Sequence, residues 1–336
     1  MSSGFYRAFE DRHRGTRETI KSRLQVYLPF VLPLREIYSD ATALDLGCGR
    51  GEWLELLQEA GIASHGVDLD ESMLAGCSEL GLSVETTDAI SMLQRLPDES
   101  QAVISGFHFA EHIAFADLHV LVRESLRILR PAGLLILETP NPENIVVGTS
   151  GFYLDPTHKR PLPPGLLAFM PEHYGFHRTK VLRLQEPAWL TAETPPSLIS
   201  VLRDISPDYS VVAQKSAAIE LLEHFDSAFE PEYGVTLESL AARYDTYAGG
   251  RIRQAETRAN DAEGIARGAQ ASADAVLASA QRSAAAAVLA QAQAQEALSR
   301  VEDAQARVEQ IVASKSWRLT APLRAAIEAI NRVLGK

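Results

Sequence analysis

Three short stretches hold the residues that can do chemistry: GCGRG at 47–51, HFAEH at 108–112 and DPTH at 155–158. Histidine is the side chain whose ordinary pKa lets it take or give a proton near neutral pH. His158 is therefore the first candidate for a general base, with Asp155 three residues earlier to orient its ring, and His112 and His108 are the other candidates. The plainer readings are that Asp155 caps a turn, that His158 is a satisfied loop histidine, and that Glu111–His112 serves packing. The glycines at 47, 49 and 51 permit positive φ and let backbone approach a ligand closely. No recognised ligand spacing in the sequence marks a metal site and none is expected, a metal held by Asp155, His158 and a third ligand being the alternative. Cys48 and Cys77 suggest neither a disulfide framework nor a zinc site.

These stretches need elements that carry them to one place. The apolar run ALDLG (43–47) reads as a strand, and the glycine loop after it opens a helix through Ala60. HGVDL (65–69), LSVETTD (82–88), AVISGFH (102–108) and LLILETP (134–140) read as four more strands. Helical stretches lie between them at Glu71–Leu80 and Leu118–Leu129, and Arg130–Gly133 reads as a turn. A helix is expected over 16–37, ahead of the first strand. Strands alternating with helices imply a mainly parallel sheet with helices on both faces. KVLRLQE (180–186) and YSVVAQK (209–215) are expected to pair antiparallel at its edge. In such a fold the loops at the carboxyl ends of the strands bind ligands. All three chemical stretches fall in those loops.

The loop alone admits a nicotinamide cofactor or S-adenosylmethionine. It is GxGxG rather than GxGxxG, and Asp45 precedes it within LDLG. Asp68 ends the second strand, where a carboxylate can accept both ribose hydroxyls. The third strand ends in Thr87-Asp88-Ala89, and the fourth leads into GFHFAEHI (106–113). In order and spacing, residues 40–185 resemble the class I methyltransferases. The resemblance implies a Rossmann-like fold with a mainly parallel seven-stranded sheet, and S-adenosylmethionine as cofactor. It implies Asp45, Gly47, Gly49 and Gly51 at the methionine part, Asp68 and Leu69 at the ribose and adenine, Asp88 and Ala89 at the adenine edge, and Phe107 or His108 near the sulfonium.

The chain has 336 residues, 46% hydrophobic, and a net charge of −12. An acidic balance argues against a nucleic-acid partner, since phosphate neutralisation needs a basic surface. Composition shifts near Gly249-Gly250 to an Ala-, Gln-, Arg- and Glu-rich tail with no proline until Pro322. A heptad seam runs through Ile252, Ala259, Ala266 and onward to Val301 and Val308; the other runs from Ala255 through Val276 and Ala290 to Ile311. A coiled coil that makes a homo-oligomer is expected, an isolated solvated helix being the alternative. The organisation is thus an N-terminal helical cap (1–40), a methyltransferase domain (41–215), a helical connector (216–250), a coiled coil (251–315) and an amphipathic C-terminal helix (316–336). In the last, Thr320 can cap a helix with Pro322 in its first turn, and Leu323, Ile327, Ile330 and Leu334 share one face. That face suits a membrane surface, a partner helix such as one on a glycosyltransferase, or the coiled coil itself.

The start of the chain lacks the apolar segment of a secretory signal, and no run of 18 apolar residues spans a membrane. A cytoplasmic protein is expected, peripheral at the inner face of a bacterial inner membrane where the tail docks. The local basic run Arg7, Arg12, His13, Arg14, Arg17, Lys21 and Arg23 can cover a cofactor carboxylate or an acceptor phosphate, or form a solvated helix face. Tyr6 and Phe9 suggest that the segment packs on the domain. The pieces at 5–30, 105–113 and 138–164 look like a bacterial group of surface-polysaccharide methyltransferases, some of which terminate O-antigen chains. The segment SWRLTAPLRAAI (316–327) is similar to one that follows coiled coils in bacterial glycan-assembly enzymes. The resemblance implies a glycan or lipid-linked glycan acceptor methylated at a sugar hydroxyl. Alternatives are a small-molecule O-methyltransferase acting on a quinone-like metabolite, and a glycan-assembly scaffold that uses the domain for docking.

Overall fold

The structure, a computed structural model, describes residues 15–335. The basic and aromatic residues of 1–14 lie outside these. The chain divides into two compact units, residues 1–250 and 251–336.

In the first unit, α1 (Arg17–Leu24) and α2 (Leu28–Ile37) are separated by a 3₁₀ turn at Gln25–Tyr27. One continuous helix is expected over 16–37. Pro29 has no N–H to offer the Gln25 carbonyl, so the α ladder breaks there. Then follow β1 (Thr42–Leu46), α3 (Glu52–Glu59), β2 (Ala63–Asp68), α4 (Glu71–Glu79), β3 (Val84–Thr86), α5 (Ala89–Arg95), β4 (Gln101–Phe107), α6 (Phe115–Ile128) and β5 (Leu129–Pro140). Next come α7 (Ile145–Thr149), α8 (Pro164–Tyr174), β6 (Arg178–Leu184), α9 (Leu198–Arg203), β7 (Asp208–Gln214), α10 (Ile219–Glu223) and α11 (Asp226–Phe229). The seven-stranded sheet has the order β3-β2-β1-β4-β5-β7-β6. Its first five strands are parallel, and β7 lies antiparallel between β5 and β6. The Rossmann-like expectation therefore holds, including the antiparallel pair at the edge.

Two local departures have physical causes. The turn expected at Arg130–Gly133 is absorbed into β5 as a bulge: Gln101 pairs with Leu129, yet Val103 already pairs with Leu134. Ala132 takes the positive φ of 59° that this insertion demands. The third strand stops at Thr86 rather than Asp88. Asp88 instead caps α5, its carboxylate accepting from the Ser91 N–H at 2.8 Å.

The helices α1 and α2 pack into the body of the sheet domain. Tyr27, Phe30, Val31 and Leu34 are fully buried and share one apolar cluster with Trp53, Leu57, Val103 and Ile136 on one face of the sheet. Leu222, Phe225 and Ala228 of the expected connector join the same cluster. Burying a side chain of that size is worth roughly 1.5–3 kcal/mol, so these segments are integral to the fold. The opposite face is covered by α5, α6 and α8 through Leu93, Leu121, Val122 and Leu167.

The second unit is helical. The helix α12 (Leu237–Ala313) starts within the first unit, where Leu240 is buried beside Leu190, Val201 and Ile205. It is 77 residues long, about 115 Å at 1.5 Å per residue, and is followed by α13 (Lys315–Leu319) and α14 (Ala321–Val333). The seam residues Ile252, Val276, Val301, Val308 and Ile311 are all more than half exposed on this chain. The cap in the last segment is Ser314, whose hydroxyl accepts from the Trp317 N–H. Thr320 makes no side-chain cap, because its hydroxyl donates back to the Ser316 carbonyl. No helix of the described residues is long and apolar enough to cross a membrane.

Candidate active site

Because β1 pairs with β2 on one side and β4 on the other, the sheet order reverses at β1. The carboxyl edge at such a reversal is where open α/β sheets bind ligands. A cleft of about 770 Å³ lies there, lined by Gly47, Gly49, Asp68, Leu69, Asp88, Ala89, Phe107 and Phe109. Gly47 has φ 68°, and a Cβ on it would stand 2.7 Å from the Phe109 ring. Asp68 accepts from the Gly49 N–H through Oδ2 and from the Asp70 N–H through Oδ1, both at 2.9 Å. Each oxygen keeps a further lone pair for a ribose hydroxyl. Leu69 is 73% exposed, a bare apolar surface suited to an adenine face. These residues fit S-adenosylmethionine. Gly51 has a different setting: it lines neither cavity, and a Cβ there would press on Cys77 and Leu82 at 2.9 Å. Asp45 is buried, with Oδ1 accepting from the Ser105 hydroxyl at 2.7 Å.

A second cavity of about 280 Å³ adjoins the cleft, and Gly47, Phe107, His108 and His112 line both. Asp155 and His158 line it as well, so all four candidate catalytic residues meet in one place. Ile20, Leu24, Trp53 and Leu154 form apolar parts of its wall, and Arg23 from α1 stands at it. The other described basic residues of that run are engaged: Arg17 pairs with Glu55, and Lys21 with Glu55 and Glu59, each at 2.7 Å.

Hydrogen bonds assign the imidazole tautomers. His158 Nδ1 lies 2.6 Å from the Phe152 carbonyl, which can only accept, so Nδ1 carries the proton and Nε2 keeps its lone pair. The ring also packs on Phe152 at 4.5 Å and on His112 at 4.7 Å. The expected orienting role of Asp155 is corrected here. Its Oδ2 stays 3.9 Å from His158 Nε2, whereas Oδ1 accepts from the Thr157 N–H at 2.7 Å and the Thr157 hydroxyl at 2.6 Å. With its proton given to Asp155, Thr157 accepts from His112 Nδ1 at 2.8 Å. Asp155 thus orients His112 through Thr157. Burial lowers the basicity of His112, against the opposing pull of the Glu111 carboxylate.

His108 has a different environment. Its φ is 52°, uncommon for a residue with a Cβ. Nδ1 faces Glu111 at 3.3 Å; Nε2 faces Glu138 at 3.5 Å and Asp208 at 4.0 Å. Withdrawal from water would lower its basicity, but Asp208, Glu111 and Glu138 outweigh that and the net direction is upward. Burial raises the Asp208 carboxyl, with His108 opposing. Sequence reasoning missed Glu138 and Asp208. The signal for Glu138 was a lone carboxylate inside the apolar run LLILETP. Asp208 reaches this edge because β7 runs antiparallel, which brings its first residue opposite Pro140.

The comparisons with known proteins point to the same fold and cofactor. A family model described as a methyltransferase domain matches residues 16–177. A probable S-adenosylmethionine-dependent methyltransferase of Mycolicibacterium smegmatis is 31% identical over 133 residues, 40% of this chain and 51% of that protein. One of Mycobacterium tuberculosis is 36% identical over 98 residues, 29% of this chain and 35% of that protein. The chain thus spans about a third to a half of the length of these curated relatives. A crystal structure of a SAM-dependent methyltransferase from Archaeoglobus fulgidus is 32% identical, with a TM-score of 0.56, covering 63% of this chain and 100% of that one.

Proposed function

The chain belongs to the S-adenosylmethionine-dependent methyltransferases, and we propose that it methylates a sugar hydroxyl of a bacterial surface glycan of O-antigen type, or of its lipid-linked precursor. The observation that carries this reading is the second cavity, which shares Gly47, Phe107, His108 and His112 with the cofactor cleft. An apolar wall with Trp53 and Leu154 faces carboxylates, imidazoles and Gln185. That mixture suits a ring with apolar C–H faces and many hydroxyls, and it suits a flat quinone less well.

The cofactor, when bound, supplies a methyl group on a positively charged sulfur, already activated for in-line displacement. The protein's task is to hold the acceptor oxygen in line and to accept its proton. His158 is the base in this reading, because its Nδ1–H is anchored on Phe152 and leaves Nε2 free. His112 stands beside it, fixed through Thr157 and Asp155. A positioned base contributes on the order of 10²–10⁴ in rate, so His158→Ala is expected to lower turnover at least tenfold with cofactor affinity unchanged.

The test of the acceptor is transfer of tritiated methyl from S-adenosylmethionine to lipid-linked glycans isolated from the source organism, followed by linkage analysis. A labelled O-methyl sugar is expected. Label found only in quinones or other small metabolites would overturn the glycan reading. Failure to bind the cofactor at millimolar concentration would favour a docking scaffold.

A further inference from the structure

We propose that His108 Nε2, Glu138 Oε1 and Asp208 Oδ1 hold a divalent cation in the acceptor cavity, and that the acceptor presents two neighbouring sugar oxygens to it. The proposal rests on the reading of this cavity as the sugar site. One ligand-capable atom from each of the three residues lies within 4.8 Å of the others. His108 Nε2 is 3.5 Å from Glu138 Oε1 and 4.0 Å from Asp208 Oδ1. Atoms bound to one ion at about 2.0–2.2 Å stand roughly 3–4 Å apart, so the two distances from His108 already fall in that range, and side-chain rotation closes the Glu138–Asp208 pair, whose atoms lie within 4.8 Å.

The surroundings have the form that metal sites require. A ligating histidine characteristically gives its other ring nitrogen to a carboxylate, which fixes the ring. Glu111 supplies that carboxylate. Its Oε2 is held by the Thr139 hydroxyl at 2.8 Å, while Oε1, in a side chain that is 0% exposed, has no other partner and faces His108 Nδ1 at 3.3 Å. Glu138 is anchored in the same way: Tyr27 donates to its Oε2, and its Oε1 receives a long 3.3 Å contact from Gln185 beside the 3.5 Å approach of His108 Nε2. Among the described residues, the Asp208 carboxylate accepts no hydrogen bond. Three carboxylates therefore share one imidazole at a cavity wall, and buried charges of one sign are paired or coordinate metals. His108 holds this place at a left-handed φ of 52°.

One imidazole nitrogen and two carboxylate oxygens suit Mn²⁺, Fe²⁺ or Zn²⁺. Three protein ligands leave positions open for substrate oxygens. A hydroxyl bound there is acidified. It gives its proton to His158 Nε2, its oxygen forms the bond to the methyl carbon, and the carbon–sulfur electron pair returns to sulfur. The cation is neither oxidised nor reduced. A second cluster, Glu111, His112 and His158, also has ligand-capable atoms within 4.8 Å, and the test separates the two.

Untagged full-length protein is stripped with chelator and titrated with Mn²⁺, the free ion being read by electron paramagnetic resonance. One Mn²⁺ per chain is expected, weakened at least tenfold by His108→Ala and by Asp208→Asn, and unchanged by His158→Ala. If Asp208→Asn does not fold, His108→Ala, at a side chain 33% exposed, decides alone. Calorimetry with S-adenosylmethionine on the same proteins separates the levels of failure. Cofactor binding without Mn²⁺ uptake at millimolar ion overturns this proposal alone, and so does uptake abolished by His158→Ala but not by His108→Ala. Absence of cofactor binding would remove the reading on which it rests.

Discussion

At the scale of single residues, the glycines of the loop do different work. At Gly47, a side chain meets φ 68° and the Phe109 ring at 2.7 Å, and left-handed φ alone costs about 1–2 kcal/mol. Because Gly47 lines the cleft, Gly47→Ala is expected to weaken S-adenosylmethionine at least tenfold by calorimetry. Gly51 lies against Cys77 and Leu82 instead. Gly51→Ala is therefore expected to lower the melting temperature clearly while changing cofactor affinity less than Gly47→Ala does. The two cysteines follow from the same packing. Burial raises both thiols, Cys77 to about 11, with nearby carboxylates adding to the rise at Cys48. The thiolate is the reactive form, so iodoacetamide at pH 8 should leave both unmodified in the native protein, which mass spectrometry reads directly. Rapid alkylation of Cys48 would show that the loop opens.

At the scale of elements, α1 and α2 are the part of the expectation that changed most. They form the cover of one sheet face and one wall of the second cavity, through Ile20, Arg23 and Leu24. Phe30 is fully buried against Phe229 and Tyr233, with ring centroids 5.3 and 6.0 Å away. Removing a buried phenylalanine costs about 3–5 kcal/mol. Phe30→Ala should therefore shift the urea midpoint of the whole first unit in one transition. A separate early transition would mean that the helices fold independently. The alternation of apolar runs with helical stretches was enough to place β1, β2, β4 and β5 and the antiparallel edge. It was not enough for the ends of β3 and β5. Asp88 prefers to cap α5 over extending a strand, and the Arg130–Gly133 insertion bulges within the ladder because strand pairing continues on both sides of it.

At the scale of the whole chain, α12 leaves a row of aliphatic residues exposed from Ile252 to Val312, a length that no single helix of this composition stabilises by tertiary burial. Self-association through the two heptad seams is the proposal this supports. Sedimentation velocity of the full chain should show an oligomer, and Val276→Asp with Val308→Asp should shift it to monomer with the first unit still folded. A monomeric wild type would refute it. The face of α14 with Leu323, Ile327 and Ile330, each at least half exposed, remains free on the described chain for a membrane surface or a partner helix.

Residue order by itself determined the alternation of strands and helices, the glycine loop after the first strand, the acidic residues at or just past the ends of the next two, and the change of character near residue 250. These are local properties: periodicity, φ freedom and helix propensity act over a few positions. The tertiary structure alone decided which histidine faces what. Phe152 sets the tautomer of His158, Asp155 reaches His112 through Thr157, and Glu138 and Asp208 close around His108 from strands that run in opposite directions. Such groups are separated by up to 100 positions in the chain (108 to 208). Their meeting depends on sheet order and register, which no short stretch of sequence encodes.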